Sequence, residues 1–248
     1  MKELFKDPTL FNDASPKLTP GEKYSYDHPV HGEQIYRYAK MTGAAAVQWS
    51  LYKKADGIVS TTFTVDSVGS NPTWDLRDSS DPLTADAWVG CLAYIYTDGA
   101  NAAPEGEMRR IKTNTTSSII LEKDTPHKPL SAAVAVGDVV HIVNNYAIAV
   151  AGTGALDRDE YVGWAAAAIT QNYWGCFLCK GQQDEIVSAA TMTIGGACKG
   201  NALALADATG ADKSEESLGL VLISPSGASS CCADVDLISW PGLMTVDT

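Results

Sequence analysis

The groups in this 248-residue chain that could ligate a metal, attack a carbonyl or move a proton are four histidines, six cysteines and thirty acids. His28-Pro-Val-His31 has the three-residue spacing that lets two imidazoles share a metal from one helix face, but Pro29 opposes that helix. His127 follows Pro126 and reads as loop, and His141 lies in Asp138-Val-Val-His-Ile-Val, where it reads as a half-exposed strand residue. Cys176-Phe-Leu-Cys179 has redox-motif spacing. The surrounding Asn172-Tyr-Trp-Gly-Cys-Phe-Leu-Cys-Lys180 reads as a strand, however, which opens no helix and turns the two thiols to opposite faces. Zinc would need a second pair at similar spacing, and neither Cys198 nor Cys231-Cys232 supplies one. Six cysteines in 248 residues fall far below the density of a disulfide-stapled scaffold, so they read as reduced packing residues.

Nucleophile elbows of the form Gly-x-Ser-x-Gly and phosphate loops ending in Gly-Lys-Ser or Gly-Lys-Thr do not occur. Gly152-Thr-Gly-Ala lacks the third glycine and the helix of a dinucleotide fingerprint. Asp157-Arg-Asp-Glu160 and Asp184-Glu185 pair carboxylates, as a glycosidase must, yet acids beside turn residues read first as solvated loop tips. Asp75-Leu-Arg-Asp-Ser-Ser-Asp81 has the acid density of a calcium loop without the ligand spacing or closing Glu of an EF-hand. Asn114-Thr-Thr116 is a glycosylation sequon with meaning only in a secretory pathway. The expectation is a chain with no catalytic residue, no cofactor and no metal.

Composition narrows the classes further. The net charge of −12 and the pI near 4.6 oppose binding to phosphate backbones, which depends on Lys and Arg displacing counterions. No apolar run approaches the ~20 residues of a membrane span, and Met-Lys-Glu-Leu-Phe-Lys-Asp lacks a signal-peptide core. Neither nucleic acid nor membrane is an expected partner. At 45% apolar and 19% charged residues, the chain has material for a packed core.

The elements that must position any site read as β. Residues 1–31 carry Pro8, Pro16, Pro20 and Pro29 among polar residues, with Leu4, Phe5, Leu10 and Phe11 as one apolar cluster. This reads as an extended arm, either frayed or laid across a neighbouring subunit. From Gly32 onward, short β-branched and aromatic stretches such as Ile58–Val65 and Trp88–Tyr96 alternate with Gly, Asp and Asn turns, and none sustains helical spacing. Ala-rich Trp164–Ile169 is too short and too close to glycine for a helix. Asp86-Ala-Trp-Val-Gly-Cys-Leu-Ala resembles Asp159-Glu-Tyr-Val-Gly-Trp-Ala-Ala, and Val136-Gly-Asp resembles Lys199-Gly-Asn. The expectation is all-β, with sandwich or barrel modules at 32–126 and 127–248 after the arm.

Two stretches carry a family resemblance. Pro104-Glu-Gly-Glu-Met-Arg-Arg-Ile-Lys-Thr-Asn-Thr-Thr-Ser-Ser-Ile-Ile-Leu-Glu122 leads through Pro129-Leu-Ser-Ala-Ala to Val136-Gly-Asp-Val-Val-His-Ile142. Tyr161-Val-Gly-Trp-Ala-Ala-Ala-Ala-Ile-Thr-Gln-Asn-Tyr-Trp-Gly-Cys-Phe-Leu-Cys-Lys-Gly181 follows. This pattern, over residues 104 to 225, resembles structural proteins of tailed bacteriophages, above all the decoration or cement proteins of the capsid. The resemblance implies a non-enzymatic, β-rich homo-oligomer, with a trimer favoured, made in the bacterial cytoplasm. It would bind the major capsid protein on the outer surface of the virion and lock neighbouring capsid subunits. Minor capsid, head-fibre and tail components, or a carbohydrate-binding host-recognition domain using the six tryptophans as stacking faces, are the alternatives. On the shell-protein reading, Leu4, Phe5, Leu10 and Phe11 are the arm's anchors, and Arg109 and Arg110 are the candidates to pair with capsid carboxylates, strand alternation letting only one of them face a given partner.

Overall fold

A computed structural model describes residues 7–54, 58–69, 71–97, 104–123, 128–144, 146–151, 161–188, 197–201, 204–207, 218–223 and 230–237. The chain is all-β, and its strands divide between two compact units, 1–54 with 148–248, and 55–147. The first unit opens with a short 3-10 turn at Pro8–Leu10, then β1 (Lys23–His28), β2 (Gly32–Met41) and β3 (Leu51–Lys54). The second unit follows with β4 (Ile58–Thr64), β5 (Ser67–Val68), β6 (Asp75–Arg77), β7 (Leu92–Thr97), β8 (Met108–Asn114), β9 (Ser118–Leu121) and β10 (Val139–Val143). The chain then re-enters the first unit through β11 (Ile148–Ala151), β12 (Tyr161–Ala165), β13 (Trp174–Val187), β14 (Ala197–Asn201), β15 (Ala204–Asp207), β16 (Gly219–Ile223) and β17 (Ser230–Asp236).

In the first unit, β2, β11, β3, β12 and β13 are hydrogen-bonded in that order, and β13 pairs back onto β2, so the ladder closes into a five-stranded ring. Only β2 and β11 run parallel. Within the ring each strand is paired on both sides, and two of the strands are buried on both faces. Every residue of Tyr161–Ala165 and of Trp174–Cys179 is buried, and Trp164, Tyr36, Tyr52 and Phe177 are among the largest fully enclosed side chains. The tightest point is Gly163. Its φ is +143°, and a β-carbon there would stand 2.3 Å from the Leu178 carbonyl oxygen. The far half of the long β13 leaves the ring to pair with β17, and β16, β14 and β15 continue the sheet.

The second unit is a ladder in the order β4, β10, β7, β8, β9, β6, β5. Its first and last strands are neighbours in sequence, separated by Val65 and Asp66 alone, so the ladder returns to the segment where it began. That joint is hydrogen-bonded on both sides: the Val65 N–H donates to Asp138 O at 2.8 Å, and the Asp66 N–H donates to Arg77 O at 3.0 Å. Strand β8 turns the corner, pairing with β7 through Met108–Arg110 and with β9 beyond a register shift at Ile111–Thr113. Phe63, Leu76, Ile95, Ile111 and Ile119 fill the interior, each at most 1% exposed.

Two boundaries differ from the sequence expectation. A cut between residues 126 and 127 would separate β9 from β10, which share one ladder. Of the first stretch, residues 7–22 hold the 3-10 turn and otherwise irregular backbone. Lys23–His28 is an edge strand paired residue for residue with Gly32–Arg37, because Tyr24, Tyr26 and His28 alternate with exposed Lys23, Ser25 and Asp27.

Candidate functional site

Residues 7 to 22 lie on the chain's own ring. The Asp7 carboxylate accepts from the Thr9 N–H at 2.9 Å and the Thr9 hydroxyl at 2.7 Å, fixing the turn at Pro8–Leu10. Beyond it Phe11 is buried edge-on against Tyr38, with centroids 5.8 Å apart, and Tyr38 stacks on Trp174 at 5.9 Å. Asp13 and Trp174 exchange backbone hydrogen bonds of 2.9 and 2.8 Å. The Asn12 amide and Thr170 exchange bonds of 3.1 and 2.9 Å. Gly175 lies beneath this crossing, where a β-carbon would stand 3.2 Å from the Phe11 carbonyl oxygen. Burial pushes the Tyr38 hydroxyl well above its ordinary pKa, with the Asp13 carboxylate adding to the shift. Tyr38 therefore stays protonated and donates to Asp13 at 3.3 Å. Lys17 pairs with the same carboxylate.

The four apolar residues singled out in this segment therefore part company. Phe11 anchors the segment to its own chain and is not presented to a partner. Leu10 points away and is 72% exposed. Leu4 and Phe5 lie outside the described residues.

The second unit presents an apolar face of its own. Antiparallel pairing sets Tyr94 opposite both Met108 and His141, and alternation puts Tyr96 on the same face. Tyr96 and His141 stack with ring centroids 4.2 Å apart and planes 11° from parallel. Tyr96 and Met108 are each half exposed, and Val136, in the turn that enters β10, is 65% exposed. The end of β7, the start of β8 and the start of β10 coincide in this register, so these side chains gather at one end of the sheet.

Both arginines are engaged within the chain. Arg109 donates from Nε to Lys128 O at 2.8 Å, and from its terminal nitrogens to Pro129 O at 3.0 Å and the Glu107 carboxylate at 2.6 Å. It fastens the segment before β10 to β8. Arg110 is buried and reaches Gly90 O at 3.4 Å. Neither guanidinium stands out as a solvent-facing cation, in contrast to the role the resemblance implied.

The remaining chemistry-bearing groups are held structurally. His28 and His31 meet in a hairpin turn with rings 4.6 Å apart, and His28 Nδ1 accepts from the backbone N–H groups of Val30 and His31. Cys176 and Cys179 are buried free thiols, and desolvation raises both above their ordinary pKa. Burial also pushes the Cys91 thiol up to about 12, against the opposing pull of Arg110. Asp75 pairs with Arg77 through two bonds, and Asp78 accepts from Ser80 and Thr64. The sequon residue Asn114 is 2% exposed, its amide spent on Thr84 and Thr115 carbonyls. Among the described residues no group of three or more His, Cys, Asp or Glu side chains could hold a metal ion. His127, Asp157–Glu160 and Trp240 lie outside them.

No known protein family, curated protein or solved structure matches the chain.

The aromatic end of the second unit was not singled out from sequence, although its signal is present. Leu92-Ala-Tyr-Ile-Tyr96 and Val139-Val-His-Ile-Val143 are apolar or aromatic on both faces, and a strand with one face in the core has no packing need for the other.

Proposed function

We propose that this chain is a structural component of a tailed-bacteriophage particle, in the role of a decoration protein on the outer capsid surface. It would hold neighbouring major-capsid subunits together as a homo-oligomer, a trimer in the favoured form, and catalyse nothing. The observation that carries the reading is the exposed apolar end of the second unit, Tyr96, Met108 and Val136, to which exposed Leu10 adds a second contact element. Exposed apolar side chains at one end of a sheet, on a protein with a net charge of −12, are a feature of surfaces made to be covered. The resemblance of residues 104–225 to phage structural proteins supplies the identity of what covers them. Several modest contacts of this kind, repeated by each subunit of a symmetric oligomer, sum to near-permanent attachment through effective concentration.

The test has two arms. Light scattering on the purified chain should give three times the 26.3 kDa chain mass. Undecorated phage heads incubated with it should show ordered, saturable density on their outer surface and resist disruption at higher temperature. Failure to occupy heads would overturn the reading, as would turnover of a metabolite by the lone chain.

One observation favours a second reading. The parallel Tyr96–His141 stack is a surface on which a sugar ring could lie, and glycan-dependent binding abolished by Tyr96→Ala would select it. Four of the tryptophans do not serve that reading. Trp49, Trp164 and Trp174 are buried, and Lys123 Nζ covers the Trp74 ring at 4.1 Å.

A further inference from the structure

Beside the turn at Pro8–Leu10 the first unit holds a small pocket of about 90 Å³, walled by the rings of Tyr26, Tyr36 and Trp49, with His28, Gln183 and the Asp7 carboxylate also in its lining. The wall is rigid. Tyr36 and Trp49 are 1% and 7% exposed, and Tyr26 meets Tyr36 edge-on at 6.4 Å. The polar groups of the lining are already committed to neutral partners. Gln183 Oε1 accepts from Gln34 Nε2 at 3.2 Å, and Gln183 Nε2 donates to Asp184 O at 3.0 Å. His28 Nδ1 accepts two backbone N–H bonds. Asp7 accepts from the amide and hydroxyl of Thr9. Those donors are uncharged, and among the described residues no Lys or Arg belongs to the lining.

This combination selects a ligand class by elimination. An anion meets the Asp7 carboxylate. A neutral apolar group would strip water from Asp7 without replacing its hydrogen bonds. An alkylammonium group satisfies both demands, its cation drawn to the carboxylate and its methylenes packed against the aromatic side chains. We infer that the pocket is a binding site for an alkylammonium group, supplied in the assembly by a lysine side chain of a protein partner. The inference rests on the proposed function only for where that lysine comes from. The strongly acidic chain favours a basic partner surface on the same electrostatic ground.

The test is a titration of the isotope-labelled full-length chain with N-acetyl-lysine methylamide, following the Trp49 indole and Thr9 amide resonances. Saturable shifts at millimolar concentration are expected, with none from the norleucine counterpart, which has the same stem and no charge. Asp7→Asn should weaken binding by about fivefold or more, and it leaves the turn folded because Asn caps as well as Asp. Tyr26→Leu should weaken it similarly, while Tyr26→Phe keeps it. An equal response to the norleucine compound, or no saturation with the lysine compound, would overturn the site. A response to tetramethylammonium chloride with none to the lysine compound would overturn the side-chain assignment in favour of a free quaternary amine. If the pocket titrates as expected while phage heads are not decorated, the partner reading fails and the pocket stands.

Discussion

At the scale of single residues, two glycines separate backbone conformation from space. Gly43 has φ +80° with nothing within 4 Å of an added β-carbon, whereas Gly163 combines φ +143° with the Leu178 carbonyl at 2.3 Å. Gly43→Ala should therefore cost about 1 kcal/mol, the ordinary penalty for a left-handed side chain. Gly163→Ala adds a backbone collision inside the ring and should cost at least about 3 kcal/mol, read as a larger drop in urea midpoint at unchanged slope. Glu107 makes a prediction about pH. The Ser131 hydroxyl bond, then the Ser131 amide and the Arg109 guanidinium, hold its carboxyl below the usual range. Its folded value lies below its unfolded one, so its contribution is complete above the unfolded value of about 4.3 and is lost as pH falls through the folded value. The stability difference between wild type and Glu107→Gln should be present at pH 7, no larger than about 1 kcal/mol for a surface pair that is only part-buried, and shrink below about pH 4. Sequence showed Arg109 only as a charge beside a second one. That its donors go to Lys128 and Pro129 carbonyls depends on a loop folding back across β8, which no local pattern encodes.

At the scale of elements, alternation was legible wherever a strand keeps one face on the core. The strand read around His141, Asp138–Val143, begins one residue before the observed β10. The misses have physical causes. In Lys23–His28 the period-two pattern was present, but it lay among prolines at 8, 16, 20 and 29, which bracket the strand without entering it. In β13 the pairing runs on to Val187, seven residues past Lys180, where the sequence pattern ended, through a bulge where Glu185 takes φ +65°, and a bulge breaks the alternation by which a strand is recognised. The first segment carries the element-scale prediction. Phe11→Ala removes the ring seated on Tyr38 and should cost about 3 kcal/mol, loosening residues 7–22 to proteolysis before the ring unfolds. Leu10→Asp, one position away and exposed, should change stability by less than about 0.5 kcal/mol while lowering attachment to phage heads. A substitution at Leu10 is thus a cleaner probe of attachment than deleting residues 1–31, which would also remove the edge strand β1.

At the scale of the whole molecule, the arrangement is an insertion, and this was the least legible feature. Both units have the same β texture, so composition does not change where one gives way to the other, and the discontinuity is set by a pairing between residues almost a hundred positions apart. Lys54 ends β3 opposite Ala149 in β11, so the two ends of the 55–147 unit leave from adjacent strands of the ring. An insertion whose ends are neighbours places little constraint on its host. Replacing residues 55–147 with a short Asn-Gly turn, the connection suited to two antiparallel strands, should leave a cooperatively folding ring. Its buried Trp49, Trp164 and Trp174 would keep their near-ultraviolet circular dichroism. The 55–147 segment, whose ladder closes on its own β4–β5 joint, should fold separately. Loss of the near-ultraviolet signal with retained far-ultraviolet signal in the deletion chain would mean that the ring needs its insert to pack. If both halves fold, adding each to phage heads assigns attachment to the Tyr96–Met108–Val136 end or to the segment carrying Leu10. Saturable binding by both, weaker for each than for the intact chain, is the outcome expected of a protein that grips through more than one contact.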